Sequence, residues 1–171
     1  MERKKYVIIM AAGSGTRMGA GRPKQFLELD GKAILQKTIE VFLKACPGIS
    51  VITVLPQDFI GYWREYCLAH NFVCPQILVH GGITRFHSVR NALDRVPDGA
   101  LVAVHDGVRP LVSEGLVRDM FEKAETVPAL IPVTPCVETM KVLENKDGEL
   151  VTVPGAKADR SVLYGAQTPQ I

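Results

Sequence analysis

Between Met10 and Gln25 the chain reads Met10-Ala11-Ala12-Gly13-Ser14-Gly15-Thr16-Arg17-Met18-Gly19-Ala20-Gly21-Arg22-Pro23-Lys24-Gln25, with four glycines and three cations in one loop after an apolar run. Glycine lacks a Cβ, so successive backbone N–H groups can converge on one anion while Arg17, Arg22 and Lys24 supply charge from the rim. That chemistry suits a triphosphate. A dinucleotide fingerprint G-x-G-x-x-G would need glycine where Met18 stands, and a P-loop would need Ser or Thr where Ala33 follows Gly31-Lys32. The competing reading of the loop alone is a mobile turn with solvated charges.

Two further clusters carry chemistry. Gly81-Gly82-Ile83-Thr84-Arg85-Phe86-His87-Ser88 offers unhindered backbone, an arginine and a serine between a strand and a helix, and competes with an ordinary capped turn. His105-Asp106-Gly107-Val108-Arg109-Pro110 places a carboxylate and a guanidinium at a strand end, where a cap and its ion-pair partner are the plainer reading. Thr139, Arg160 and Thr168 are, taken alone, ordinary polar residues. His70, His80, His87 and His105 have no metal-ligand spacing.

The elements that must position these loops follow from periodicity. Tyr6–Met10 is a β-branched run that stops at the glycine loop, so it reads as a buried strand delivering that loop. Ala33–Ala45 has apolar residues at helical spacing, and Pro47-Gly48 separates it from a strand over Ile49–Leu55. Asp58 is expected to cap a helix reaching about Asn71, whose stripe of Phe59, Tyr62, Trp63, Tyr66 and Leu68 reads as packing. A strand over Gln76–His80 leads to a helix Arg85–Arg95 capped by Thr84, and a strand over Leu101–His105 leads to a helix begun by Ser113-Glu114 and reaching about Thr126. Ala129–Val133 reads as a strand, and Thr139–Glu144 and Glu149–Val153 as two strands around Asn145-Lys146-Asp147-Gly148. Leu163–Gln167 is a last apolar stretch. Alternating strands and helices predict an α/β fold, mainly parallel, with helices on both faces. All three charged loops then fall at the carboxyl edge of the strands, where such sheets bind ligands.

Composition bounds the rest. The 171 residues, 47% hydrophobic, can bury about one core. Twenty Lys and Arg against 18 Asp and Glu give a net charge of only +2, so no nucleic-acid footprint is expected. Cys46, Cys67, Cys74 and Cys136 form no C-x-x-C pair and read as reduced, buried thiols, which points to the cytoplasm. The first apolar run is too short to span a membrane, and no membrane partner is expected.

The pattern A-A-G-x-G-x-R-M with P-K-Q resembles the signature of nucleotidyltransferases that activate sugar and polyol phosphates, and within them the 2-C-methyl-D-erythritol 4-phosphate cytidylyltransferase family. G-G-x-x-R-x-x-S-V at Gly81, Gly82, Arg85, Ser88 and Val89, H-D-x-x-R-P at 105–110, Thr139-Met140-Lys141, and Asp159-Arg160 with Gln167-Thr168-Pro169-Gln170 match in order, although Glu138 replaces an aspartate and Ile83 an occasional acidic residue. The resemblance implies a three-layer, Rossmann-like nucleotidyltransferase fold over one domain, 1–171, with a β-arm projecting at about 135–158. It implies transfer of CMP from CTP to the polyol phosphate by a homodimer, with Mg²⁺ and no covalent intermediate. Arg17 and Lys24 would be catalytic. Ala11, Ala12, Gly13, Ser14, Gly15, Thr16, Gly81, Gly82, Arg85, Ser88 and Asp106 would bind the nucleotide, Asp106 also touching the metal. Arg109, Thr139, Thr168 and the partner subunit's Arg160 would hold the acceptor phosphate. Family members usually continue past Q-T-P-Q with further helices and a second catalytic lysine, so the chain is expected to lack its C-terminal part. Ribitol-5-phosphate cytidylyltransferase and a non-catalytic nucleotide-binding module are the alternatives; a nicotinamide-dependent dehydrogenase fails at Met18.

Overall fold

A computed structural model of the protein describes residues 3–13 and 22–171, so the expected ligands Ser14, Gly15, Thr16 and Arg17 lie outside the described residues. The chain divides into two compact units, Met1–Leu130 with Thr168–Ile171, and Ile131–Gln167.

In the first unit, β1 (Lys5–Met10) leads toward the glycine-rich stretch, and the described chain resumes before a 3-10 turn at Lys24–Phe26. The short strands β2 (Glu28–Leu29) and β3 (Lys32–Ala33) pair antiparallel around Asp30-Gly31, both at positive φ. Then come α1 (Ile34–Ala45), β4 (Ser50–Leu55), a 3-10 turn at Gln57–Phe59 running into α2 (Ile60–Ala69), β5 (Gln76–His80), α3 (Arg85–Leu93), β6 (Leu101–Asp106) and α4 (Glu114–Ala124). The four longer strands form one parallel sheet in the order β5-β4-β1-β6. Ile8 stands beside Ile52 on one side and Val104 on the other, and Met10 beside Val54 and Asp106.

Strand alternation decides which helix covers which face. Val7, Ile9, Val51, Leu55, Leu101 and Ala103 join the larger core with Leu35, Ile39 and Phe42 of α1, Trp63 and Tyr66 of α2, and Val117 and Phe121 of α4. Ile8, Ile52, Val54 and Val79 pack on the opposite face with Ala92 of α3. The sheet is therefore parallel with helices on both faces, the three-layer α/β arrangement expected from the alternation. At the free edge of β6, Gln170 exchanges two backbone hydrogen bonds with Val104, at 2.7 and 2.9 Å, and Ile171 pairs in the same way with Leu130.

The second unit holds β7 (Val133–Pro135), β8 (Leu143–Lys146), β9 (Glu149–Thr152) and β10 (Tyr164–Ala166). β7 pairs antiparallel with β10, and β8 with β9. Asp147 and Gly148, both at positive φ, make a two-residue turn of the kind whose twist suits a hairpin, and the Asn145 side chain accepts from Gly148 N at 3.0 Å.

Several local expectations are corrected. The strand expected at Ala129–Val133 forms instead over Val133–Pro135, where β10 supplies a partner, while Leu130 pairs with Ile171. Thr139-Met140-Lys141 lies outside any strand, and β8 begins only at Leu143. Asp58 does not cap α2: it sits inside the preceding 3-10 turn, and the cap position, Phe59, makes no side-chain bond. Trp63 and Tyr66 are buried as the packing reading requires, but Leu68 is 80% exposed and falls off that stripe.

Candidate nucleotide-binding and catalytic site

The loops after β1, β5 and β6 are laced together by backbone hydrogen bonds beyond the strand ends. Ala11 N donates to Val54 O at 2.9 Å, Gly81 N to Leu55 O at 2.8 Å and Gly107 N to Met10 O at 2.8 Å. The chain approaches so closely here that side chains are excluded. A Cβ on Gly81 would stand 2.5 Å from the Ala12 Cβ, and one on Gly107 would stand 2.9 Å from the Ala11 Cβ. Two glycines and two alanines thus let three strand ends share one edge, which spacing in the sequence does not reveal.

The first loop is held at its base by Gln25. Its buried carboxamide donates from Nε2 to Ala11 O at 2.7 Å and to Gly13 O at 3.3 Å. Next to it, Phe26 packs among Phe59, Tyr62 and Trp63, and the Arg22 guanidinium donates to the Tyr62 hydroxyl at 3.3 Å. Lys24, between them, is exposed.

The second loop is organised by its own side chains. Thr84 caps α3 by accepting from His87 N, as the sequence predicts. Ser88 is buried; its Oγ accepts from Gly82 N at 2.9 Å and donates to Thr84 O at 3.0 Å, so its hydroxyl serves the shape of the loop. Ile83 is 96% exposed.

Asp106 is where the second and third loops meet. Arg85 Nη1 approaches its Oδ1 at 2.9 Å and Arg109 Nε its Oδ2 at 2.8 Å, so one carboxylate holds two guanidiniums. Two positive charges against one negative leave a net positive cluster at the edge of the sheet. The Asp106 N–H donates to Thr168 Oγ1 at 3.4 Å, which brings a fourth expected ligand to the same place.

Beneath this cluster lies fully buried His105, its ring 5.0 Å from that of Phe42. Its Nε2 stands 3.1 Å from Arg109 O; a carbonyl can only accept, so Nε2 carries the proton and Nδ1, buried and without a hydrogen-bond partner, carries the lone pair. Burial pushes the His105 pKa below the ordinary histidine value, against the smaller opposing pull of the Arg109 carbonyl and the Asp106 charge. From α1, the Thr38 hydroxyl lies within hydrogen-bond distance of both Ile34 O, at 2.9 Å, and Gly107 O, at 3.1 Å, and so shares its one proton between its own helix and the loop.

The site residues thus fall into three groups. Ala11, Ala12, Gly13, Lys24, Gly81, Gly82, Arg85, Ser88, Asp106, Arg109 and Thr168 belong to the first unit, and Arg85, Asp106, Arg109 and Thr168 meet directly. Thr139 and Arg160 belong to the second unit, where Arg160 Nη1 donates to Val137 O at 3.5 Å. Ser14, Gly15, Thr16 and Arg17 are not described. Gln25, Thr38 and His105 were not marked as site residues by sequence reasoning; Gln25 stands in the P-K-Q motif, but only its carbonyl partners show what its amide does.

No group of three or more His, Cys, Asp or Glu able to cage a metal ion occurs among the described residues. No described helix is long and apolar enough to cross a membrane.

A central strand flanked by β4 and β6, with charged and glycine-bearing loops gathered where the strand order reverses, defines a Rossmann-like nucleotide-binding α/β protein. The family model described as "IspD: 2-C-methyl-D-erythritol 4-phosphate cytidylyltransferase" matches residues 6–171. The chain belongs to that family. It is 43% identical over 169 residues to the 2-C-methyl-D-erythritol 4-phosphate cytidylyltransferase of Azobacteroides pseudotrichonymphae genomovar. CFP2, covering 99% of this chain and 73% of the relative. It is 45% identical over 171 residues to the protein of the same name from Porphyromonas gingivalis strain W83, covering 99% and 72%. Among solved structures, the 4-diphosphocytidyl-2C-methyl-D-erythritol synthase of Anaerococcus prevotii superimposes with a TM-score of 0.76 at 28% identity, over 98% of this chain and 69% of that one.

Proposed function

We propose that the protein transfers CMP from CTP to 2-C-methyl-D-erythritol 4-phosphate, giving 4-diphosphocytidyl-2-C-methyl-D-erythritol and pyrophosphate in non-mevalonate isoprenoid biosynthesis. The observation that carries this reading is the convergence of Ala11–Gly13, Asp106 with its two arginines, and Thr168 at one sheet edge in a chain of this family. An oxygen of the acceptor phosphate attacks the α-phosphorus of CTP, the bond to the bridging oxygen breaks, and pyrophosphate leaves. The acceptor is already ionised at neutral pH, so no general base is required, and catalysis consists of aligning two anions and neutralising developing charge.

In this scheme the backbone of Ala11, Ala12, Gly13, Ser14, Gly15 and Thr16 cradles the triphosphate, and Arg17 and Lys24 oppose its charge. Gly81, Gly82 and Arg85 face the base and ribose, with Ser88 holding Gly82 in place. Arg109 and Thr168 receive the acceptor phosphate; Thr139, and Arg160 from a partner subunit of a homodimer, are assigned to that phosphate by the family resemblance alone. Magnesium bound by a nucleotide keeps several waters and takes one or two carboxylates besides the phosphates, so no full protein cage is required, and Asp106 would serve as its protein ligand by sharing or releasing an oxygen that Arg85 or Arg109 now holds. The ion would supply charge neutralisation at the phosphates. Four free cysteines agree with a reducing, cytoplasmic setting.

CTP labelled at the α-phosphorus tests the chemistry. The label is expected in the acceptor conjugate, with one pyrophosphate released per conjugate and none retained on the protein; label trapped covalently on the protein would refute direct attack.

A further inference from the structure

Ala11–Gly13 follow β1 at the sheet edge, and Lys24 and Gln25 lie where the described chain resumes after Arg22, so the distance between these two described segments is open to inspection. Two sets of contacts anchor the ends separately. Ala11 N and Met10 O are bound into the sheet edge, by Val54 O and Gly107 N. On the returning side, Phe26 is wedged among three aromatic rings, and Arg22 bonds to Tyr62. Among the described residues, Gln25 ties one end to the other. It is only 3% exposed, and its amide nitrogen uses both hydrogens on carbonyls two residues apart, Ala11 O and Gly13 O.

The chemistry of that tie is specific. A carbonyl oxygen without a donor is the negative end of a dipole, and two of them beside a bound triphosphate oppose it. A neutral amide cancels both dipoles, adds no charge that would compete with Lys24, and holds the backbone of the neighbouring lysine at a fixed distance from Ala11. We propose that Gln25 is a positioning residue for the nucleotide: it caps the Ala11 and Gly13 carbonyls and sets the distance between Ala11–Gly13 and Lys24. This rests on the CTP-binding reading above.

The test is titration of the full-length protein with CTP and Mg²⁺, alongside steady-state kinetics, for Gln25→Met, Gln25→Glu and the control Gln76→Met. Methionine keeps the length of the side chain and removes the donors; glutamate replaces them with a charge facing two carbonyls. Gln76 is also a part-buried carboxamide, accepting from Thr53 at 2.7 Å and Trp63 at 3.0 Å, and lies outside the site. Losing the donors to one buried and one part-buried carbonyl is expected to weaken CTP binding by about tenfold or more in Gln25→Met, and further in Gln25→Glu. The KM for the polyol phosphate stays within about threefold of wild type, and Gln76→Met loses thermal stability without losing CTP affinity. If Gln25→Met lowers stability but binds CTP within about threefold of wild type, Gln25 is a structural core amide and the proposal fails. If the wild-type protein itself does not bind CTP, the reading of the site falls first and the proposal falls with it.

Discussion

Asp106 holds Arg85 and Arg109 through different oxygens, and each arginine is about half exposed. Such partly solvated pairs contribute little to folding, roughly 0–1 kcal/mol each. In the proposed scheme their value lies in bringing two guanidiniums to one point before the anions arrive. Asp106→Asn is therefore expected to change the urea midpoint little while lowering kcat/KM about a hundredfold, the usual cost of losing a positioned electrostatic group; a variant that unfolds readily but turns over normally would reverse the assignment. His105 belongs to the same scale. Its folded pKa lies below the unfolded value, so its contribution to stability is complete above the unfolded pKa of about 6.5 and is lost as pH falls below that value toward the folded one. Chemical denaturation between pH 7.5 and 5.5 should show a smaller loss of stability in His105→Gln, which cannot titrate yet keeps an N–H for the Arg109 carbonyl, than in the wild type. Equal slopes in the two proteins would remove His105 as the cause.

At the scale of elements, what makes the site is how closely three strand ends approach. Gly81 and Gly107 are required because Ala12 and Ala11 occupy the space a Cβ would need. Gly81→Ala is expected to cost about 1–3 kcal/mol from overpacking, read from the urea midpoint, and to weaken CTP binding by pushing its loop off Ala12; unchanged stability would mean that the two loops part easily. Local signals in the sequence located most elements. Thr84 and Ser113 cap α3 and α4 because a hydroxyl before a helix has its backbone partner two or three residues away, within reach of the local pattern. Asp58 looked equally suitable, but Pro56 starts a 3-10 turn that places Phe59 at the cap. The strand expected at Ala129–Val133 is displaced because its pairing is set far along the chain: Val133–Pro135 meets Tyr164–Ala166, and Leu130 meets Ile171. The bonds from Gln25 to Ala11 and Gly13 span 14 and 12 residues, and that from Thr38 to Gly107 spans 69, distances over which spacing carries no signal.

Across the whole molecule, alternation of strand and helix predicted the parallel sheet and its two covered faces, since both follow from burying apolar residues on each side of a strand. The order β5-β4-β1-β6 was not legible in the same way, because it is settled by which strands meet far apart in sequence. Parallel pairing alone puts the loops that follow β1, β5 and β6 at the carboxyl edge; the order adds that β1 stands between β4 and β6, and membership of the family supplies the proposed chemistry. The central claim is that this edge joins CTP to one kind of acceptor. The measurement that tests it most directly is pyrophosphate release by the full-length protein with CTP and Mg²⁺, with 2-C-methyl-D-erythritol 4-phosphate or ribitol 5-phosphate as acceptor. The account predicts release with the methylerythritol phosphate and none above background with ribitol 5-phosphate; release with ribitol 5-phosphate alone, or CTP binding without release from either, would contradict it.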